Sequence, residues 1–224
     1  MTARAHRALA GAGLLALLTA CASTRPAREF PPASPEEAQR SLAAWSAARQ
    51  RAASLGASRL LYDAKLGSGA APSVPGTLAV VYDGAVVVTA SLTGPFGSRI
   101  AEYRDGTVTG EDRRALVVDP KALRGVLSGS WNAGEPDVRG FADGQGLLAM
   151  ESAEARVTAI VDVATERVVA LDLSGRAGHL AVDYSGDARP WPERLAIRDE
   201  AAKKTLALKL LAVEPADATG AAGP

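Results

Sequence analysis

The spacing of apolar residues changes period along the chain, and the changes mark its elements. Leu42, Trp45, Ala48, Ala52 and Leu55 recur at helical spacing against Arg40, Arg49 and Arg51, which predicts one amphipathic helix. Ser34 is placed to cap it, Pro35 suits the first helical position, and Glu37 completes a capping box. Gly56 is the expected stop. Such a stripe is core packing, with Trp45 as its anchor. From there the period is two. Segments 59–67, 77–82, 85–93 and 98–104 read as strands separated by Gly, Pro and Asp-Gly signals. Asp83-Gly84 and Asp105-Gly106 are hairpin turns. Val86, Val87 and Val88 are apolar on both faces, which predicts a strand covered on both sides. Segment 107–118 supplies one or two further short strands.

Asp119-Pro120 opens a second helix, with Leu123, Val126 and Leu127 on one face and Gly129 at its end. A Gly-rich stretch over 129–146, holding Trp131 and Phe141, reads as a long loop of the kind that is functional or mobile. Strands resume after it. Val157, Ala159 and Val161 alternate with Thr158, Ile160 and Asp162; Val169, Leu171 and Leu173 alternate with Ala170, Asp172 and Ser174. Leu180, Val182 and Tyr184 form a third alternation, and Leu206, Leu208 and Leu210 a last one. Regular short strands with two helices predict an α+β, mainly antiparallel protein built on one large curved sheet. The tail, 215–224, has little apolar bulk and is expected to be disordered.

Composition narrows the chemistry. The 224 residues are enough for one domain with tails, and 25 basic residues balance 25 acidic ones, which excludes a nucleic-acid footprint. Apolar residues are 47% and aromatic ones 4%, so the expected core is Val, Leu and Ala. Cys21 is the only cysteine, which leaves no disulfide and no thiolate cluster. Beyond His6 the only histidine is His179, so no zinc pair can form. Nucleophile-elbow, phosphate-loop and His-Glu-x-x-His motifs are missing. Asp162 and Asp172 alternate with apolar residues and mark a wet sheet face. The expectation is a protein that is not an enzyme and holds no metal or cofactor.

One turn stands out. Between two predicted strands runs Leu92-Thr93-Gly94-Pro95-Phe96-Gly97-Ser98, where Pro95 suits the second position of a type I turn. Phe96, one of three Phe, then occupies a hairpin tip where a polar side chain is usual. Either it folds back over a core edge, or it is an apolar finger for a membrane or an acyl chain. The turn alone leaves both open.

The N-terminus is equally distinctive. Arg4, His6 and Arg7 precede an uncharged apolar run from Ala8 to Ala20. That run is shorter than the roughly 20 residues needed to span a bilayer, as in an export signal. It ends in Leu18-Thr19-Ala20-Cys21, which resembles the lipobox of bacterial lipoproteins. The resemblance implies cleavage after residue 20, a covalent lipid on Cys21, and, with Ala22 following in place of Asp, retention in the outer membrane. Losing Arg4 and Arg7 with the leader takes the 25 basic residues to 23 against 25 acidic. Pro26, Pro31 and Pro32 make 21–33 an extended tether.

Taken in order, the lipobox, the first helix, the 92–98 turn, Leu123–Gly129, and the 192–199 and 205–210 segments resemble the LolB family of outer-membrane lipoprotein acceptors, within the LolA/LolB-type fold. The turn resembles that family's Leu-Thr-x-Pro-Leu-Gly-Ser, with Phe96 at the position of its exposed Leu. The resemblance covers about 35–213 and implies one domain over 34–214, an open, incomplete curved barrel with covering helices. It further implies an apolar cavity that takes acyl chains of lipoproteins from a periplasmic carrier and releases them into the outer membrane. In that scheme Cys21 anchors, Pro95, Phe96 and Gly97 form the membrane-contact turn, and Leu123, Val126, Leu127 and Trp131 form a lid. The protein would be a monomer facing the periplasm. Small Val and Ala linings leave either a wide cavity or a partly filled one. A protein-interaction module of the same fold, or a carrier of another lipid, are the alternative readings.

Overall fold

The computed structural model describes residues 28–84, 86–131, 134–153, 155–175, 178–186 and 191–216. The leader, Cys21 and residues 217–224 of the tail lie outside the described residues.

Helix α1 (Pro35–Ala53) begins where its capping box predicts. The Glu37 amide donates to Ser34 Oγ (3.3 Å) and the Ser34 amide donates to Glu37 Oε2 (2.8 Å). It ends with Ser54 as cap, two residues before Gly56. Its stripe buries Trp45 and Ala52, but Leu42 is 38% exposed and Ser41 is buried in its place.

The remaining elements are β1 (Ser58–Ser68), β2 (Val74–Tyr82), β3 (Val87–Thr93), β4 (Arg99–Arg104), β5 (Thr107–Thr109), α2 (Pro120–Ser128), β6 (Asp137–Ala142), β7 (Gln145–Glu151), β8 (Ala155–Asp162), β9 (Arg167–Gly175), β10 (Gly178–Ser185), β11 (Arg194–Asp199) and β12 (Lys204–Pro215). The strands form one antiparallel sheet in the order β5-β4-β3-β2-β1-β12-β11-β10-β9-β8-β7-β6. It is open, with β5 and β6 as free edges, and it curves as an incomplete barrel. Strands adjacent in the sheet are also consecutive in the chain except at the centre. There β1 pairs with β12 from Ser58↔Pro215 to Ser68↔Lys204 and joins two meanders into one sheet.

A curved sheet must cover its concave side, and three segments do so. Helix α1 packs on β6 to β9, with Arg51 bonded to Glu166 (2.7 Å) in the β8–β9 turn. Helix α2 packs on β3 with its apolar face inward. Residues 110–119 cross to the β11–β12 end, bury Ala115, Leu116 and Val118, and are tied there by the Lys204–Asp112 ion pair. That bond holds the Asp112 carboxyl below its ordinary value.

Three expectations change. Segment 129–146 is not one long loop: it contains β6 and leads into β7. The turn between them is Asp143-Gly144, both at positive φ (48° and 76°), the same signal that marks the Asp105-Gly106 hairpin. Segment 107–118 gives one short strand of three residues, as expected, and its apolar remainder is buried against the sheet. Strand β3 is covered on one face only, since Val87 is buried while Val86 and Val88 are 59% and 41% exposed. The core is not only aliphatic. Trp45, Tyr62, Tyr82, Tyr184 and Trp191 are all buried, and Tyr82 and Trp191 meet edge to face with centroids 5.0 Å apart. Strand β12 runs to Pro215, and the Ala216 amide donates to the Ala57 carbonyl (3.2 Å).

Where α1 crosses β7, a Cβ on Gly146 would collide with Ser41 Cβ and its hydroxyl. Ser41 is itself held by a bond to the Glu37 carbonyl (2.7 Å). Gly146→Ala is therefore expected to destabilise the domain by about 1–3 kcal/mol, the usual cost of overpacking. Denaturant unfolding checks this, and an unchanged midpoint would mean that α1 does not rest on β7.

Candidate functional site

The Phe96 turn is built by its backbone. The Gly94 amide donates to the Ser98 carbonyl (2.7 Å), the Gly97 amide to Gly94 (3.3 Å), and the Ser98 amide to Pro95 (3.3 Å). Pro95 holds the second position of the first turn, as expected, but the turn is not type I. Phe96 has φ 61° and ψ 21°, and Gly97 has φ 77°. Successive positive φ values match the twist of a hairpin, which a type I turn would splay. For an aromatic residue this left-handed conformation is unfavourable, by roughly 1–2 kcal/mol. The side chain gains nothing from the protein in return: Phe96 is 108% exposed. The ring therefore does not fold back over a core edge.

Strand register places this turn relative to the N-terminal segment. The β3–β4 turn lies at one rim of the sheet, and the β6–β7 turn lies at the opposite rim. The N-terminal segment is pinned at that second rim. The Arg28 guanidinium bonds Asp143 and Gln145, and the Phe141 amide donates to the Pro31 carbonyl (2.9 Å). The described part of the expected tether is therefore docked on the sheet.

The four residues placed in a lid fall together around α2. Leu123, Val126 and Leu127 share its buried face, and Trp131 folds back half-buried so that Gly125 faces its ring. A Cβ at Gly125 would lie 3.0 Å from the Trp131 ring and 2.7 Å from the Ser130 carbonyl, so the return needs a glycine there. At its C-terminus α2 meets the second meander. Gly129 (φ 65°) lies against Val168 and Tyr184, and the Tyr184 hydroxyl donates to the Val126 carbonyl (2.6 Å). Burial holds that hydroxyl well above its ordinary pKa, so it stays a donor. Core aromatics adjoin α2: the Tyr82 ring lies 6.0 Å from the Arg124 guanidinium, and Tyr184 meets the last turn. Tyr62, fully buried, also has its pKa raised by burial, and its hydroxyl has no partner among the described residues.

Beside this packed interior, α1 and α2 leave a cleft of about 660 Å³. Trp45 and Arg49 line it from α1, and Arg124 and Ser128 from α2. The chain pattern did not single out this pairing, because Arg49 and Arg124 are distant in sequence and each reads alone as a solvated helix face. No group of three or more His, Cys, Asp or Glu able to hold a metal occurs among the described residues. His179 lies on the outer face with Nε2 2.8 Å from Asp172, and Asp162 instead accepts from Thr165 (2.8 Å), so the two aspartates do not form a pair. No described helix is long and apolar enough to cross a membrane.

No family model matches the chain, and no curated protein matches it in sequence. Solved structures do resemble it. A LolA superfamily protein from Nitrosomonas europaea is 12% identical with a TM-score of 0.51, over 79% of this chain and 95% of that one. An outer membrane lipoprotein-sorting protein domain from Vibrio parahaemolyticus is 11% identical (TM-score 0.43; 79% and 92% covered). A DUF1329 family protein from Desulfovibrio piger is 8% identical (TM-score 0.41; 80% and 94% covered). Of the three, the first bears on the fold. It makes the open curved barrel with its covering helices one of the LolA/LolB type.

The strained tip gives a direct expectation. Phe96→Asn, which tolerates positive φ and removes no internal contact, should raise the melting temperature by about 2–4 °C per kcal/mol of strain relieved. A lower melting temperature would mean that the ring packs on the protein in solution.

Proposed function

We propose that this protein is an envelope lipoprotein, anchored in the outer membrane through Cys21, that takes acyl chains of lipoproteins from a periplasmic carrier and releases them into that membrane. It works as a monomer and as a binding protein, with no catalysis, metal or cofactor. One observation carries the reading. An aromatic side chain is held fully exposed on a hairpin tip in a conformation its backbone disfavours, where only an apolar environment outside the protein rewards it. Transferring Phe96 into a bilayer interface would contribute on the order of 1.5–3 kcal/mol, enough for a transient touch and too little to anchor. The LolA/LolB-type fold supports the same reading.

In this reading α2 is a closed lid. Leu123, Val126, Leu127 and Trp131 turn from the core to the cargo when it lifts, and Tyr184 is its latch. Tyr184→Phe should lower stability by about 1 kcal/mol, one buried hydrogen bond, and speed uptake of a fluorescent acyl probe. Slower uptake, or none in either protein, would remove α2 as a lid.

The pinned N-terminal segment also limits posture. From Cys21 to Arg28 the chain reaches at most about 25 Å. The nine residues of β2 alone extend about 30 Å from rim to rim. A molecule tethered at one rim therefore cannot stand upright on Phe96 at the other; it lies with its strands along the bilayer.

The large aromatic side chains of the core favour a second reading, an interaction module that keeps the fold without carrying lipid. Transfer distinguishes the two. Radiolabelled lipoprotein is presented on a carrier from the same species to the full chain bearing Cys21→Ser, with liposomes as final acceptor. The expected result is uptake by both Cys21→Ser and Cys21→Ser/Phe96→Glu, with delivery to liposomes lost in the second. No uptake by the first would leave the interaction module.

A further inference from the structure

The large apolar residues left exposed are not scattered. Among the described residues they are Leu42 on α1 and six others, Val74, Val86, Val88, Phe96, Leu211 and Val213. The six fall on β2, β3, β12 or the turns flanking β3, within the adjacent strands β12-β1-β2-β3. None falls on β6 to β11.

Two β-bulges account for two of them. Val88 is the extra residue opposite Val81 and Tyr82, and Leu211 the extra residue opposite Leu61 and Tyr62. A bulge re-aims a side chain. Here each delivers an apolar one to the outer face, with Val88 41% and Leu211 56% exposed. The register joins them: Leu61 pairs with Ala212 and Ala79, and Val81 pairs with Thr89 beside Val88. Leu211, Leu61, Ala79, Val81 and Val88 therefore form one apolar strip across four strands, on the side of the sheet away from both helices.

Cations edge this strip. Lys65, Arg104 and Lys209 share its face and form no ion pair among the described residues, against one such carboxylate, Asp63. Arg59 and Glu214 answer each other (3.7 Å). An apolar strip edged by Lys and Arg suits a bilayer interface, where the stems lie along apolar surface and the charged heads reach phosphates. Strand β3 also carries Val88 at one end and leads into the Phe96 turn at the other. At about 3.3 Å per residue the two lie roughly 25 Å apart along the strand. Both touch one plane only when β3 lies along it, the posture that the pinned N-terminal segment imposes on an anchored molecule.

We propose that the outer face of β12-β1-β2-β3 is a docking surface for a phospholipid bilayer with anionic headgroups. Leu211, Leu61, Val81 and Val88 enter the interface beside Phe96, and Lys65, Arg104 and Lys209 meet the phosphates. The bilayer as occupant rests on the lipid-anchored reading above; the strip and its cations stand on the register.

The test places an environment-sensitive nitrobenzoxadiazole label on single cysteines in the full chain bearing Cys21→Ser. The sites are Val88→Cys, Leu211→Cys, Phe96→Cys and, on the outer face of β8, Thr158→Cys. Each label reports its own position, so vesicle binding through another segment does not count. With vesicles of phosphatidylcholine and phosphatidylglycerol, the first three labels are expected to shift to the blue and be quenched by nitroxide-bearing lipid, while Thr158→Cys stays unchanged. Lys65→Gln/Lys209→Gln, with thermal unfolding run alongside to show that it folds, should weaken binding to these vesicles by at least about five-fold. A response at Phe96→Cys alone overturns the face and leaves the tip and the acceptor reading standing. An equal response at Thr158→Cys means adsorption without orientation and also overturns it. Equal binding to vesicles of phosphatidylcholine alone overturns the anionic headgroup. Blue shifts at Val88→Cys and Leu211→Cys that grow with protein concentration, without vesicles, assign the face to a second copy instead. Silence at all three labels overturns the face and the Phe96 contact together, while uptake in the transfer assay still decides acyl binding.

Discussion

The concave side of the sheet governs this molecule. A sheet of this breadth cannot leave its inner face to water, and residues from both meanders converge on it as one apolar cluster. Helix α2 sits where they meet. It packs on β3 of the first meander, and at Gly129 it rests on Val168 and Tyr184 of the second. The Tyr184–Val126 bond is a small addition to that burial, but it fixes where the helix ends. The two Trp and three Tyr of the core follow from the same demand, since large side chains reach across a curved surface better than Val and Ala do.

Elements whose signals are local were legible in the sequence. The Ser34–Glu37 box, the Asp-Gly hairpins and the alternation in β8 and β10 each depend on residues within a few positions of one another. Strand β6 was not legible. Val138 and Phe141 are its only bulky apolar residues, and Gly140 leaves room for Phe30 and Pro31 to lie on it. It is a strand because of its neighbours, not because of its own pattern. Val86 and Val88 misled in the opposite direction, since apolarity on two faces was read as cover that the structure does not supply.

The candidate site divides in the same way. The Phe96 tip was visible because its oddity lies in one short segment, although its positive φ was hidden behind a Pro that fits the commoner turn. The cleft needed the fold, because Trp45 and Arg124 come from elements that meet only after the sheet has formed. The exposed ring places unrewarded chemistry at the surface. Around it the molecule is tightly packed, so rigid scaffold and reactive exception are spatially separate.

The pairing of β1 with β12 has a consequence for how the chain is made. Strand β1 leaves the ribosome ahead of the other described strands, and β2 can cover one of its edges at once. Its other edge must wait for the last strand of the domain. For that interval the centre of the future sheet is an unpaired edge, the feature that invites pairing with another chain. Arg59, Asp63 and Lys65 alternate along the exposed face of β1, charges of the kind that discourage such encounters. Charges that face solvent in the finished protein thus lie along a strand whose edge is open only before the protein is complete.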